Sequence, residues 1–444
     1  MKSNRSGQIE TIAAQLRAIE LRAAVLLLFI GCNASTPATT ANSRELDTKQ
    51  STVCLIASGD THGWIIPCGC TANQSGGLLR RGTYVAERRE SAEVLVVDVG
   101  GAADGTAPYQ RERFRAILKG EAQMGLVAHN VGAAELAFGM EALAELSNDT
   151  GVTFLSTNAG PVHGDSAAVS HVLTVQGGQT FLLAGVVSPR HTTDGVRISE
   201  PAAAILSLLD VVDTEYDQLV VLAYLPADEL RQLAETLPEA DVIIGGPTGQ
   251  ALSPETIGQT LLTSATNKGK FLAEVTFDPN TATPVGRVVE MSTDFPDHVL
   301  QTQNLTAFRR FLEDRDFAAS ESGFVEGGDL QSADSLKVAG TESCRDCHTE
   351  TSDHLASTPH AHAWERLVSE GAHVDPYCQQ CHTTGYGLPG GFVSRKLSEQ
   401  RTNVGCESCH GPAVGGRRHS TSRLLAGRHP FIIRGYIQPV TLFC

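Results

Sequence analysis

Three pentapeptides in the last quarter of the chain share one form: Cys344-Arg345-Asp346-Cys347-His348, Cys378-Gln379-Gln380-Cys381-His382 and Cys406-Glu407-Ser408-Cys409-His410. Two thiols separated by two residues reach both vinyl groups of one porphyrin, and the adjacent imidazole then falls on its iron. With 11 cysteines and 15 histidines in 444 residues, chance would supply about 0.01 such pentapeptides. The spacing predicts three covalent c-type haems, with His348, His382 and His410 as iron ligands. Zinc also takes Cys-x-x-Cys pairs, but zinc ribbons do not need a His after every pair.

The same segment holds six further histidines: His354, His360, His362, His373, His419 and His429. A sixth ligand sets a haem's potential and reactivity. Six spare imidazoles for three irons favour bis-histidine ligation, and hence electron transfer over ligand activation. The pairing of histidines with irons stays open.

A second cysteine cluster lies near the other end. Pro67-Cys68-Gly69-Cys70 follows Asp60-Thr61-His62-Gly63, which itself follows an apolar run. Two thiols one residue apart beside a His can bind a soft metal or form a reducible disulfide. Cys68 and Cys70 are therefore the catalytic candidates, against a plain structural pair that involves Cys54. Cys444 has no role to assign.

Export is expected from the N-terminus. Lys2, Arg5, Arg17 and Arg22 precede the apolar run Ala23 to Ile30, which is too short to span a bilayer as a helix but fits a signal h-region. It ends at Cys32, followed by small and polar residues, a pattern that resembles a bacterial lipoprotein signal, although Phe29 stands where Leu is usual. Lipidation of Cys32 would anchor the protein to a membrane; a cleaved soluble signal is the alternative. Both place the protein in the periplasm or otherwise outside the cytoplasm.

These groups need elements to hold them. From Thr52, β-rich runs (52–58, 94–100, 152–158, 181–187, 218–224 and 240–246) alternate with amphipathic stretches at 112–127, 139–147, 201–211 and 226–237. Such alternation predicts an α/β layered domain. Runs at 259–265, 270–278 and 285–292 add strands without helices between them, so the sheet ends in antiparallel additions. Residues 303–317 form a helix, and 321–340 are a Gly/Ser/Asp-rich linker. Beyond Thr341 apolar periodicity is lost, as expected where a cofactor supplies the core. The expected organisation is a signal peptide at 1–32, a tether at 33–51, the α/β domain at 52–300, helix and linker at 301–340, and a mostly irregular or α-helical cytochrome c domain at 341–444. The net charge of −16 argues against nucleic acid and is compatible with redox partner proteins.

Residues 341–412, through CRDCHTETSDHLASTPHAHAW, DPYCQQCHTTGYGLPGGFVS and VGCESCHGP, resemble the cytochrome c554 family of multihaem cytochromes. The family's distal-ligand motif falls on Thr358-Pro359-His360-Ala361-His362-Ala363, which implies His360 as a distal ligand. After Pro412 the pattern departs from the family.

Asp60 and His62, followed by Gly76-Gly77-Leu78-Leu79-Arg80-Arg81, resemble the 5'-nucleotidase branch of the calcineurin-like metallophosphoesterases, over about 52–295. Those enzymes activate water with two metal ions. The resemblance implies Asp60 and His62 as vestigial ligands for at most a single divalent metal. The bridging carboxylate's place is taken by Gly101, the Asn-His pair by Ala133 and Ala134, and later ligands by Tyr224, Pro247 and Gly249. Two hard ligands out of about seven cannot hold two divalent ions with ordinary affinity.

The sequence thus points to an extracytoplasmic electron carrier on a non-hydrolytic phosphoesterase-like scaffold, more a carrier than a hydrolase. The alternatives are a redox enzyme, of sulfur chemistry for instance, acting at Cys68/Cys70 with a haem relay, and a residual metal-dependent phosphoesterase.

Overall fold

In the computed structural model, residues 50–67, 73–281, 283–325 and 337–413 are described. The export signal, the tether up to residue 49, Cys32, Cys68, Cys70, His419, His429 and Cys444 lie outside them. The described residues belong to one compact unit.

The N-terminal part alternates strand and helix: β1 (Val53–Ser58), α1 (Leu78–Arg89), β2 (Glu93–Asp98), α2 (Pro108–Gln123), β3 (Leu126–Asn130), α3 (Ala133–Phe138), α4 (Met140–Thr150) and β4 (Phe154–Leu155). The second half continues with β5 (Ala159–Pro161), β6 (His171–Gln176), β7 (Gln179–Val187), β8 (Val196–Ile198), α5 (Pro201–Leu209), β9 (Gln218–Tyr224), α6 (Ala227–Thr236) and β10 (Val242–Gly246). Strands β11 (Glu255–Ile257), β12 (Thr260–Ser264), β13 (Phe271–Phe277) and β14 (Val285–Glu290) precede the long helix α7 (Val299–Arg315).

Two six-stranded sheets result, ordered β14-β13-β1-β2-β3-β4 and β11-β12-β10-β9-β7-β6. They pack face to face through Val53, Leu55, Leu95, Val97, Phe181, Leu183, Val220 and Val275. The opposite face of the first sheet, with Cys54 and Ile56, packs under α1, α2 and α7. The outer face of the second sheet packs under α5 and α6 through Ile205, Leu230 and Leu233. Central strands buried on both faces explain why β1, β7, β9 and β10 read as unbroken apolar runs. Burying each such Val, Leu, Ile or Phe stabilises by about 1.5–3 kcal/mol, so three apolar layers hold the sandwich together without any metal. The expected α/β layered class is what is found.

Several boundaries shift by a few residues, the helix expected at 303–317 running Val299–Arg315 for instance, and two shifts have a local cause. The helix expected at 112–127 ends at Gln123, because Gly125 turns the chain at φ +72° and Leu126–Asn130 pairs in parallel with β2. The strand expected at 152–158 is only Phe154–Leu155. Beyond it Ser156, Thr157 and Asn158 hydrogen-bond through their side chains to Ala159, Ser170 and Val187, a competition with strand pairing that such residues favour. The later strands β13 and β14 do pair antiparallel, as expected, but the run expected at 259–265 does not follow them: β12 pairs in parallel with β10 and is antiparallel only to the short β11.

The C-terminal part is short and helical: α8 (Glu342–Arg345), α9 (Thr349–Ala356), α10 (Ala363–Ser369), α11 (Pro376–His382) and α12 (Cys406–His410), joined by irregular backbone. Among the described residues no helix is long and apolar enough to cross a membrane.

Candidate functional site

The second and third Cys-x-x-Cys-His motifs lie within short C-terminal helices, whereas the first begins in α8 and leaves it at Arg345, before Cys347 and His348. Helical spacing puts residues three and four apart on one face, so in the second and third motifs both thiols and the imidazole face one side. The second motif fills α11, where the Asp375 side chain caps the helix by accepting from Tyr377 N at 2.9 Å and Pro376 occupies the first position. The third fills α12, which ends at Gly411 with φ +80°. In every motif the first thiol (Cys344, Cys378, Cys406) is half-buried and the second (Cys347, Cys381, Cys409) is exposed.

This donor set fits haem. His382 Nδ1 lies 2.9 Å from the Ala363 carbonyl oxygen, a contact that puts the proton on Nδ1 and leaves Nε2 as the ligand atom. Cys344 lies beside Cys406: burial raises the Cys344 thiol, and the neighbouring Cys406 sulfur raises it further. Cys406 N donates to Thr341 Oγ1 at 3.3 Å, which places the first and third motifs side by side. Glu407, a variable position of the third motif, is buried and accepts from Ala339 N (2.8 Å), Gly340 N (2.6 Å) and Ala413 N (2.8 Å). The sequence reading passed over it, since a Glu between two Cys carries no pattern of its own.

His360 is exposed in a 3-10 turn, Pro359–His362, and its carbonyl accepts from Val404 N at 3.1 Å, two residues before the third motif. His362 pairs with Glu365 at 3.2 Å. His354 is exposed in α9. Burial draws the His373 pKa below the usual histidine range beside the edge of Trp364.

At the carboxyl end of β1, Asp60 and His62 both adopt left-handed backbone, φ +49° and +47°. That conformation is costly for a side-chain-bearing residue, and the loop is held there by Asp60 N to Gly100 O (2.8 Å) and His62 N to Gly101 O (2.9 Å). Asp60 Oδ2 accepts from Thr266 Oγ1 and Asn267 N, both at 3.2 Å, and burial lifts its pKa. Gly101 is packed against Tyr224, whose ring occupies the space a side chain there would need. Gly132, Ala133 and Ala134 open α3 without a donor side chain, and the Glu135 carboxylate is turned onto the N–H groups of Gly101, Ala102 and Gly132. The residues present do not fit a pair of divalent ions.

The sequence reading missed a buried charge cluster behind that loop. Asp98, Glu121 and His129 place a ligand atom each within 4.8 Å of one another, the sole such group of His, Cys, Asp or Glu among the described residues. This is a candidate three-donor metal set. Its charges are already matched internally, however: His129 Nδ1 lies 2.9 Å from Glu121 Oε2 and Arg81 Nη1 3.5 Å from Glu121 Oε1. Burial draws the His129 pKa down, but Glu121 and Asp98 overcome it and hold the imidazolium well above the usual histidine range. Burial and Glu121 push Asp98 up to about 7. The one local signal was a His in the short strand β3; Glu121 stands in a helix already rich in charged residues. Cys54 is buried against Glu274 and Arg88, its thiol pushed up to about 11 first by burial.

Fold and motifs together define the class: a 5'-nucleotidase/calcineurin-like phosphoesterase fold followed by a cytochrome c554 region. Residues 343–411 match the family model described as cytochrome c554 and c-prime. The cytochrome c-554 of Nitrosomonas europaea is 34% identical over a stretch covering 16% of this chain and 37% of that protein. The 5'-nucleotidase precursor of Thermus thermophilus has a similar fold, with a TM-score of 0.51 at 18% identity over 59% of each chain. So does a calcineurin-like phosphoesterase of Bacillus subtilis, with a TM-score of 0.51 at 14% identity, over 59% of this chain and 98% of that one. The chain thus spans 37% of the curated relative and 59% of the first structure.

Proposed function

We propose that the chain is a c-type cytochrome that transfers electrons outside the cytoplasm through three covalent haems, with the α/β segment as a non-hydrolytic scaffold. The observation that carries this reading is the threefold repetition of Cys-x-x-Cys-His, each motif with one half-buried and one exposed thiol. Haem supplies one-electron chemistry when bound. Cys344/Cys347, Cys378/Cys381 and Cys406/Cys409 would hold the three groups, and His348, His382 and His410 would ligate the irons. The adjacency of Cys344 and Cys406 supports close approach of two of the three groups. Residues 1–32 would direct export, with Cys32 as a lipid anchor, and the partners would be other redox proteins. The haem part would run from 341 and the scaffold from 52 to 300.

The test is the mass of the denatured full chain from a host competent for cytochrome c maturation, together with its pyridine haemochrome spectrum. A mass three haems above the apo chain supports the reading. A chain with zinc alone, or with no haem, overturns it.

A further inference from the structure

The α/β part meets the second haem motif through one buried contact. Arg113, on α2 and only 3% exposed, pairs with Asp104 in the loop after β2 at 2.9 Å. Its guanidinium lies 4.2 Å from the centroid of the Tyr377 ring, and Tyr377 directly precedes Cys378. One turn earlier on α2, Tyr109 donates its hydroxyl to Asp375 Oδ1 at 2.5 Å, and Asp375 is the cap of the helix that carries the motif. Phe317 and Phe324 close the contact edge-on around Tyr109. Both Arg113 and Asp375 lie near enough to act electrostatically on the Cys378 sulfur. Arg113 is thus a buried, permanent cation that reaches the second motif, and Asp104 is the buried counter-ion of Arg113.

Resting on the electron-carrier reading, we propose that Arg113 and Asp104 are positioning residues that set the reduction potential of the group held by Cys378, Cys381 and His382. The oxidised form of a haem carries one more positive charge than the reduced form. A buried cation nearby therefore favours reduction and a buried carboxylate favours oxidation, and neither is screened by salt as a surface charge would be. The paired arrangement nearly cancels, so the potential responds to loss of either member, in opposite directions. The α/β segment then does more than carry the haem segment: it makes one haem of the three different from the other two.

Spectroelectrochemical titration of the full-length haem-loaded chain tests this, with Arg113→Gln, Asp104→Asn and Arg113→Lys compared with the parent. One of three midpoints should fall in Arg113→Gln, rise in Asp104→Asn, and stay near the parent value in Arg113→Lys, with the other two unmoved. Loosened packing alone would push both charge-removing variants the same way, so the opposite signs report charge. The near-isosteric Asp104→Asn keeps the test decisive if Arg113→Gln does not fold. Three haems with midpoints indifferent to both substitutions, or shifted in one common direction, overturn this inference alone. A parent chain without covalent haem overturns the electron-carrier reading and this inference with it.

Discussion

The ring of Tyr224 lies against Gly101: a Cβ built on Gly101 would meet Tyr224 Cε2 at 2.5 Å. Tyr224 closes β9 of the second sheet and Gly101 follows β2 of the first, so the contact joins the two sheets at the place where the phosphoesterase resemblance requires a bridging carboxylate. Gly101→Asp alone should therefore not restore a metal site. It should destabilise by about 2–4 kcal/mol, from the collision and from φ +78°. The double variant Gly101→Asp/Tyr224→Ala should lose less than the sum of its two single changes, because the collision is removed. Urea unfolding of the three variants checks this. The parent chain, given manganese, zinc or calcium, should turn over bis-p-nitrophenyl phosphate far below the roughly 1 per second of ordinary enzymes; turnover at that rate would restore the hydrolase reading.

His360 stands exposed in its turn, tied by its own carbonyl to Val404 just before the third motif. If it supplies a sixth ligand, His360→Ala converts one haem of the three from low to high spin and lets it bind carbon monoxide when reduced. Low-temperature electron paramagnetic resonance and carbon monoxide difference spectra measure the change. An unchanged spin count assigns the position to another imidazole such as His354 or His362.

The buried cluster makes stability depend on pH in a defined direction. His129 is held protonated well above the usual histidine range by Glu121 and Asp98 against the pull of burial. A group whose folded pKa is raised contributes stability that is complete below its unfolded value, about 6.5 for histidine, and is lost as pH rises through the folded value. Asp98, pushed up to about 7 by burial and Glu121, acts with the same sign, its contribution lost between roughly pH 4 and 7. The urea midpoint should decline from about pH 4 through the Asp98 contribution and continue to fall above about pH 6.5 through that of His129. In His129→Gln that alkaline slope should flatten, and the fold should lose about 1–3 kcal/mol at mildly acidic pH, since Glu121 keeps Arg81 but loses its nearer buried partner. Equal slopes in the two chains would show that His129 is neutral in the folded protein.

How much was legible without coordinates depended on the range over which each signal is written. The haem motifs are each complete within a single pentapeptide, and the buried strands within one short apolar run, because one covalent spacing or one periodicity defines them. The departures from the phosphoesterase motifs were equally readable, since a ligand's absence is visible wherever its motif can be aligned. Tertiary structure alone decided what fills those places. Tyr224 reaches Gly101 only because strands from distant parts of the chain come face to face in two sheets. Asp98, Glu121 and His129 meet only where β2, α2 and β3 converge beneath the same loop. Arg113 finds Tyr377, and Tyr109 finds Asp375, across 266 residues in the latter case. Interactions of that kind cost loop closure and have no local pattern. They follow from the packing of apolar layers, which carries polar side chains into contact that the linear order of residues does not record.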